Sequence, residues 1–319
     1  MKRRTGIALL LLAALSCGQP KKTTPPPAPA TRDFPMMEIP KMMTDPTERA
    51  VWLTQHFWDR FLAPEKLYAC DSLTVNGVNK EDLEKQVGLF ATVVEQIPAK
   101  EGATAMTGLF EHLEAFRTAH PEGNVFPETV ELVSRYFYDP NSPLRSEEMY
   151  LPFVSRLAAS EQVAEDSRPR YAWDAQKCAL NRPGTPAADF TFIDTSGKRR
   201  TLYGIQAPYT LLIFGNPDCH ACQEIVKVFD EEPELGALIG AGTLKVVDIY
   251  IDEEIDLWKQ KKDSYPKSWI NGYDPGYVIR TDLLYNVRAV PSLYLLDQKK
   301  NVLLKDAPEN QVFEALSRL

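Results

Sequence analysis

Residues Tyr209 to Phe229 constrain this chain more than any other stretch. Tyr209-Thr210-Leu211-Leu212-Ile213-Phe214 is an apolar run of strand length, and Gly215-Asn216-Pro217-Asp218 ends it. Cys219-His220-Ala221-Cys222 follows, and Ile225, Val226 and Phe229 then recur as one face of a helix. A buried strand must therefore stop and feed a helix whose first turn carries two thiols. Residues three apart share a helix face, so Cys219 and Cys222 can close a small disulfide ring or stand apart as a dithiol. The first sulfur falls where unpaired backbone N–H groups and the helix dipole favour an anion. The thiolate is the attacking species in disulfide exchange, so Cys219 reads as the nucleophile and Cys222 as the resolving thiol.

Other uses of two cysteines fit less well. A zinc site needs four ligands. The remaining thiols of the mature chain, Cys70 and Cys178, are distant and unpaired in spacing, and the chain has four histidines. No metal is expected, and no cofactor beyond the Cys219–Cys222 pair itself. A purely structural disulfide on an inactive fold is the other bland use. A peroxidatic role for Cys219 would call for Thr-x-x-Cys, as in peroxiredoxins, but Asn216 occupies that position.

The N-terminus reads as a targeting segment. Lys2-Arg3-Arg4 precedes an apolar core, Ile7 to Leu15, too short to span a bilayer. Ala14-Leu15-Ser16-Cys17-Gly18 resembles a bacterial lipobox, which makes residues 1–16 a signal peptide and Cys17 the lipidated first residue; plain cleavage is the alternative. Either route leads to the cell envelope of a Gram-negative-type bacterium, facing the periplasm or the cell surface, where disulfides persist. Lipidation leaves Cys70, Cys178, Cys219 and Cys222. That even number allows a Cys70–Cys178 disulfide beside the redox pair, or two buried free thiols. Net charge is −8; residues 1–16 carry three bases and no acid, so their removal gives −8 − 3 = −11. Such acidity excludes nucleic acid as a partner and leaves the lipid anchor as the membrane contact.

Residues 17–44 are rich in proline (Pro20, Pro25, Pro26, Pro27, Pro29, Pro35, Pro40) and read as an extended tether with no packed core. Residues 45–167 read as all-helical. Asp45-Pro46-Thr47-Glu48 is a helix start, Asn79 caps a second helix, a third runs from about Ala99 to Ala119, and a fourth from about Pro127 to Tyr138. Ser146 caps a fifth. This region offers no site chemistry, since His56, His112 and His120 are dispersed; partner recognition is the role left to it. Residues 168–179 read as a connector. From 180 onward strands alternate with helices: Phe190–Ile193, Lys198–Leu202, Tyr209–Phe214, Thr243–Ile251, Leu293–Leu296 and Asn301–Leu304, with an insertion at Asp252–Gly276 and a closing helix from Glu309.

Three features make residues 180–319 resemble the extracytoplasmic thioredoxin-like thiol–disulfide oxidoreductases related to cytochrome-maturation proteins. They are Cys219-His220-Ala221-Cys222 after a buried strand, Val290-Pro291 ahead of another, and the opening Ala188-Asp189-Phe190. Asn141-Ser142-Pro143-Leu144-Arg145 and Cys178-Ala179-Leu180-Asn181 resemble bacterial lipoproteins that set an uncharacterised helical domain before such a module. The resemblance implies an α+β two-domain chain: an all-α domain, then a mixed central sheet flanked by helices. It implies a cis peptide at Pro291 beside the disulfide, and a Val290 backbone that pairs with the substrate chain. Protein thiols or disulfides of the envelope, with an upstream electron donor or acceptor, would be the partners.

This chain departs from the family around the first cysteine. Asp218 precedes Cys219 where tryptophan is common. Its charge disfavours the thiolate, which leans toward a reductase of protein or cytochrome disulfides, and protonated His220 would offset it. The buried acid of thioredoxin would fall on the central strand, which has none; Glu224 is the nearest acid after the pair, and it reads more readily as a solvated helix carboxylate than as that acid. The competing function is a non-enzymatic lipoprotein that binds a partner through its helical domain.

Overall fold

The structure, a computed structural model, describes residues 31–319. The signal segment, Cys17 and most of the proline-rich stretch lie outside the described residues. The helical half opens with α1 (Pro46–His56), which starts where its sequence demands: the Asp45 side chain accepts the Glu48 N–H at 2.8 Å. A two-stranded hairpin, β1 (Thr74–Val75) and β2 (Val78–Asn79), leads into α2 (Lys80–Glu95), capped by Asn79. There follow α3 (Ala99–Ala119), α4 (Val125–Phe137), α5 (Glu147–Ala159, capped by Ser146) and α6 (Arg168–Cys178). Their apolar faces meet in one core rich in aromatic rings, with Trp58 and Phe90 5.3 Å apart at its centre. Fully burying each such side chain is worth roughly 1.5–3 kcal/mol.

Three expectations for this half need correction. The hairpin interrupts a region expected to be all-helical; its strands are two residues long, too short to show a period. The expected connector is helix α6, whose Tyr171, Ala175 and Cys178 pack on the helical core. The end of the expected tether is packed too: Phe34 stacks on Phe61 at 5.2 Å, and the Arg32 guanidinium lies 3.8 Å from the Tyr68 ring centre.

The second half is built on β3 (Thr191–Asp194), β4 (Arg199–Thr201), β5 (Tyr209–Gly215), α7 (His220–Glu231), α8 (Pro233–Gly240), β6 (Leu244–Tyr250), α9 (Ile255–Lys261), β7 (Ile270–Tyr273), α10 (Val278–Thr281), β8 (Ser292–Leu296), β9 (Val302–Leu304) and α11 (Glu309–Leu316). Seven strands form one mixed sheet in the order β4-β3-β7-β6-β5-β8-β9. The central three, β5, β6 and β7, run parallel, and the outer pairings are antiparallel.

β5 is buried on both faces, which is why it reads as an unbroken apolar run. Leu211 and Ile213 pack under α7, α8 and α11, while Leu212 and Phe214 pack on Phe190, Tyr285 and Tyr294. The stretch read as an insertion supplies β7, which joins the β3–β4 hairpin to the sheet. Its Ile270-Asn271-Gly272-Tyr273 has no strand period. Gly272 is required there, because a Cβ would lie 2.7 Å from the Ile193 carbonyl oxygen.

Polar contacts knit the two halves together. Arg145 donates to the Asp306 and Ala307 carbonyls at 3.0 and 3.1 Å. Lys305 Nζ donates to the Cys178 carbonyl at 2.7 Å.

Candidate active site

β5 ends at Gly215, Asn216 turns the chain, and Cys219 becomes the N-cap of α7 in extended backbone (φ −80°, ψ 122°). Its Sγ accepts the Cys222 N–H at 3.4 Å, so the sulfur itself does the capping that an Asp or Ser side chain does elsewhere. On its other side the Cys219 thiol lies 3.6 Å from the Val290 carbonyl oxygen, in hydrogen-bond reach for sulfur. The Val290–Pro291 peptide is cis. Strand β8 carries this loop because Phe214 pairs with Ser292, the residue after Pro291. Both cysteines are free thiols, Cys219 half-buried and Cys222 buried. Burial pushes the Cys222 thiol well above its usual range, with hydrogen bonding to Cys219 adding to the shift.

Around the pair the structure adds a partner for Asp218 and leaves His220 and Glu224 in solvent. Asp218 is ion-paired with Lys261 at the end of α9, so its charge is compensated and no longer argues for a destabilised Cys219 thiolate. His220 and Glu224 are both exposed on α7, with Nδ1 and Oε2 3.5 Å apart. Glu224 is therefore a solvated helix carboxylate and not a buried acid.

The buried acid is Asp248, on β6. Its register partner on β5 is Ile213, and on β7 Asn271. It is 1% exposed, and its Oδ1 has no hydrogen-bond partner among the described residues. Burial pushes its carboxyl up to about 8. Its charge in turn acts on the Cys222 thiol and on the Tyr265 hydroxyl, two groups that line the same cleft. Gly215 makes room for it: a Cβ there would lie 3.1 Å from Asp248 Oδ2. The signal was an isolated acid in the apolar run Leu244 to Ile251, but no local spacing says that it faces Cys222.

A cleft of about 430 Å³ opens beside Cys222, lined by Pro217, Val226, Tyr265 and Pro266 among others. The former insertion thus forms one wall of the site. No cluster with metal-ligand composition exists among the described residues.

Cys70 and Cys178 do not form a disulfide. Cys70 sits in the loop before β1, close to Gly123, whereas Cys178 closes α6 at the junction between halves. Burial, with the Glu147 charge beside it, pushes the Cys178 thiol up and keeps it protonated.

Comparison with known proteins agrees with this architecture. The family described as a domain of unknown function, DUF5106, matches residues 16–177, half of the chain. The chain belongs to the DUF5106 family. Its match ends at Lys177, so it takes in α6, the helix first read as a connector. A thioredoxin-like protein from Bacteroides caccae ATCC 43185 is similar over 91% of this chain and 99% of its own, with 34% identity and a TM-score of 0.78. The DUF5106 region is thus followed by a thioredoxin-like fold. The C-terminal domain of an uncharacterized protein from Bacteroides fragilis NCTC 9343 is 47% identical over 43% of this chain and 98% of its own, with a TM-score of 0.42. A conserved protein of unknown function from Bacteroides fragilis is 39% identical over 42% and 98%, also at 0.42. No curated protein matches.

Proposed function

We propose that this DUF5106 protein is a thiol–disulfide oxidoreductase of the cell envelope, tethered by a lipid on Cys17, that reduces disulfides of proteins or cytochromes. The observation that carries the reading is the Cys219–Cys222 dithiol. It stands at a helix N-terminus, facing the Val290 carbonyl, with buried Asp248 behind it.

The Cys219 thiolate attacks one sulfur of the substrate disulfide; a new S–S bond forms and the other substrate sulfur leaves as a thiolate, taking a proton from solvent. Asp248 in its ionised form takes the proton from Cys222. The Cys222 thiolate then attacks Cys219 Sγ, and the second substrate sulfur leaves and is protonated. The substrate gains two electrons and two protons, and Cys219–Cys222 becomes the disulfide. An upstream dithiol donor restores it. A carboxyl that titrates near 8 is matched to this exchange at neutral pH.

Equilibration in thiol buffers, with alkylation and peptide mass analysis, tests the reading. A Cys219–Cys222 couple near the thioredoxin value of about −270 mV is expected; a value near about −120 mV would make the protein a disulfide donor instead. In Cys222→Ser the substrate should stay trapped on Cys219 as a mixed disulfide. If the two cysteines never cycle, the enzymatic reading fails.

A further inference from the structure

The loop that faces Cys219 is anchored from both ends in one buried ionic cluster, and part of that cluster belongs to the helical half. On the near side, Asn286 Nδ2 donates to Glu147 Oε1 at 2.5 Å, and Arg288 Nε lies 3.0 Å from the same oxygen. Arg288 Nη2 also reaches Asp306 Oδ2 at 2.7 Å, and its guanidinium lies 4.4 Å from the Tyr138 ring centre. On the far side, Ser292 Oγ donates to Asp306 Oδ1 at 2.7 Å. Only Ala289, Val290 and Pro291 separate these anchors.

Glu147 and Tyr138 are contributed by α5 and by the residue that closes α4. Lys305 Nζ, 2.7 Å from Glu147 Oε2, brings a second cation to the same carboxylate. The Glu147 contacts to Lys305 and Arg288 are ion pairs by distance without hydrogen-bond alignment. Glu147 is 2% exposed, so its charge is hardly screened by solvent. Remove it, and the near anchor of the loop keeps one carboxylate, Asp306, which is also the partner of the far anchor, and the Tyr138 ring. Val290 is two residues from Arg288, and its carbonyl meets the Cys219 thiol at a distance that a shift of about 1 Å would break.

We propose that Glu147, acting through Arg288 with Tyr138 beneath it, is a positioning residue by which the helical half holds the Val290 backbone in place for a peptide substrate. The inference rests on the oxidoreductase reading above and gives the DUF5106 region a part in it.

The test compares two disulfides in the full chain: insulin, which presents backbone to Val290, and cystamine, which has none. Glu147→Gln and Tyr138→Leu are the variants. The second removes no charged group, although its hydroxyl also donates to Asp174 Oδ1 at 3.1 Å, and it keeps the test open if the first does not fold, as a thermal melt will show. In either folded variant KM for insulin should rise roughly tenfold while kcat holds, and the rate with cystamine should stay within about twofold. An unchanged KM for insulin in folded Tyr138→Leu overturns the inference. Equal losses with both disulfides overturn it too, because they mark general damage. A native protein that reduces neither disulfide instead overturns the oxidoreductase reading beneath it.

Discussion

In the helical half, the core side chains are mostly apolar and aromatic, they come at helical spacing, and its buried carboxylates have partners: Asp174 pairs with Lys177 and Tyr138, and Glu147 faces the cations of the other half. In the sheet half, Asp248 lies inside the apolar layers themselves, two residues of register from the strand end that delivers Cys219. One interior is optimised for packing and the other gives up stability to hold a carboxyl where chemistry can use it. A buried carboxyl is costly when ionised, so its persistence points to use and not to packing.

The comparison can be broken first at its apolar pole. Phe90→Ala should cost about 3–5 kcal/mol in urea unfolding, with the rate of Cys219 toward cystamine unchanged in the folded protein. A changed rate would mean that the aromatic core and the thiols are not separable. Asp248→Asn sharpens the other pole. Its folded carboxyl titrates near 8, above the unfolded value near 4. The part of native stability linked to Asp248 is therefore fully present below about pH 4 and is lost as pH rises toward 8. The Asn variant should lack that fall and gain up to about 4 kcal/mol at pH 7, with no gain at pH 4, read from melts across pH. It should also resolve mixed disulfides about 10²-fold more slowly. A stabilised variant with unimpaired resolution would leave Asp248 a mere defect in the core.

Gly215→Ala should cost roughly 1–3 kcal/mol, since the new Cβ presses on the Asp248 carboxyl at 3.1 Å; no effect would mean that the carboxyl moves freely. The smallest effect is expected at the rim. Lys261→Ala removes the partner of exposed Asp218 and should change stability by less than about 1 kcal/mol. If Asp218 bears on Cys219, the same variant should slow cystamine reduction at low salt and not at high salt.

How much could be read in advance follows from how local each feature is. The strand–turn–Cys-x-x-Cys unit, the Asp45, Asn79 and Ser146 caps, and the apolar faces of α2 and α3 rest on neighbours within a few residues, and the structure has them in place. The fragments Asn141–Arg145 and Cys178–Asn181 hold the junction through Arg145, which binds the carbonyls at Asp306 and Ala307, and through the Cys178 carbonyl, which accepts from Lys305; Asn181 bridges Leu284 and Ala188 within the sheet half. What escaped was β7, whose polar and glycine residues make sense only beside Phe192 and Ile193, and helix α6, whose apolar positions are few.

By itself the sequence determined that a pair of thiols would sit at a helix start after a buried strand, and that a helical region would precede it, because hydrophobic period, capping and the i to i+3 spacing of cysteines are short-range properties. Only the tertiary structure decided which acid stands behind Cys222 and which residues hold the loop in front of Cys219. Asp248 reaches the site through strand register from 26 residues beyond Cys222, and Glu147 reaches Asn286 across a sequence separation of 139. Contacts of that range arise when sheet pairing and the packing of two halves bring distant residues together, and no pattern of neighbours encodes them.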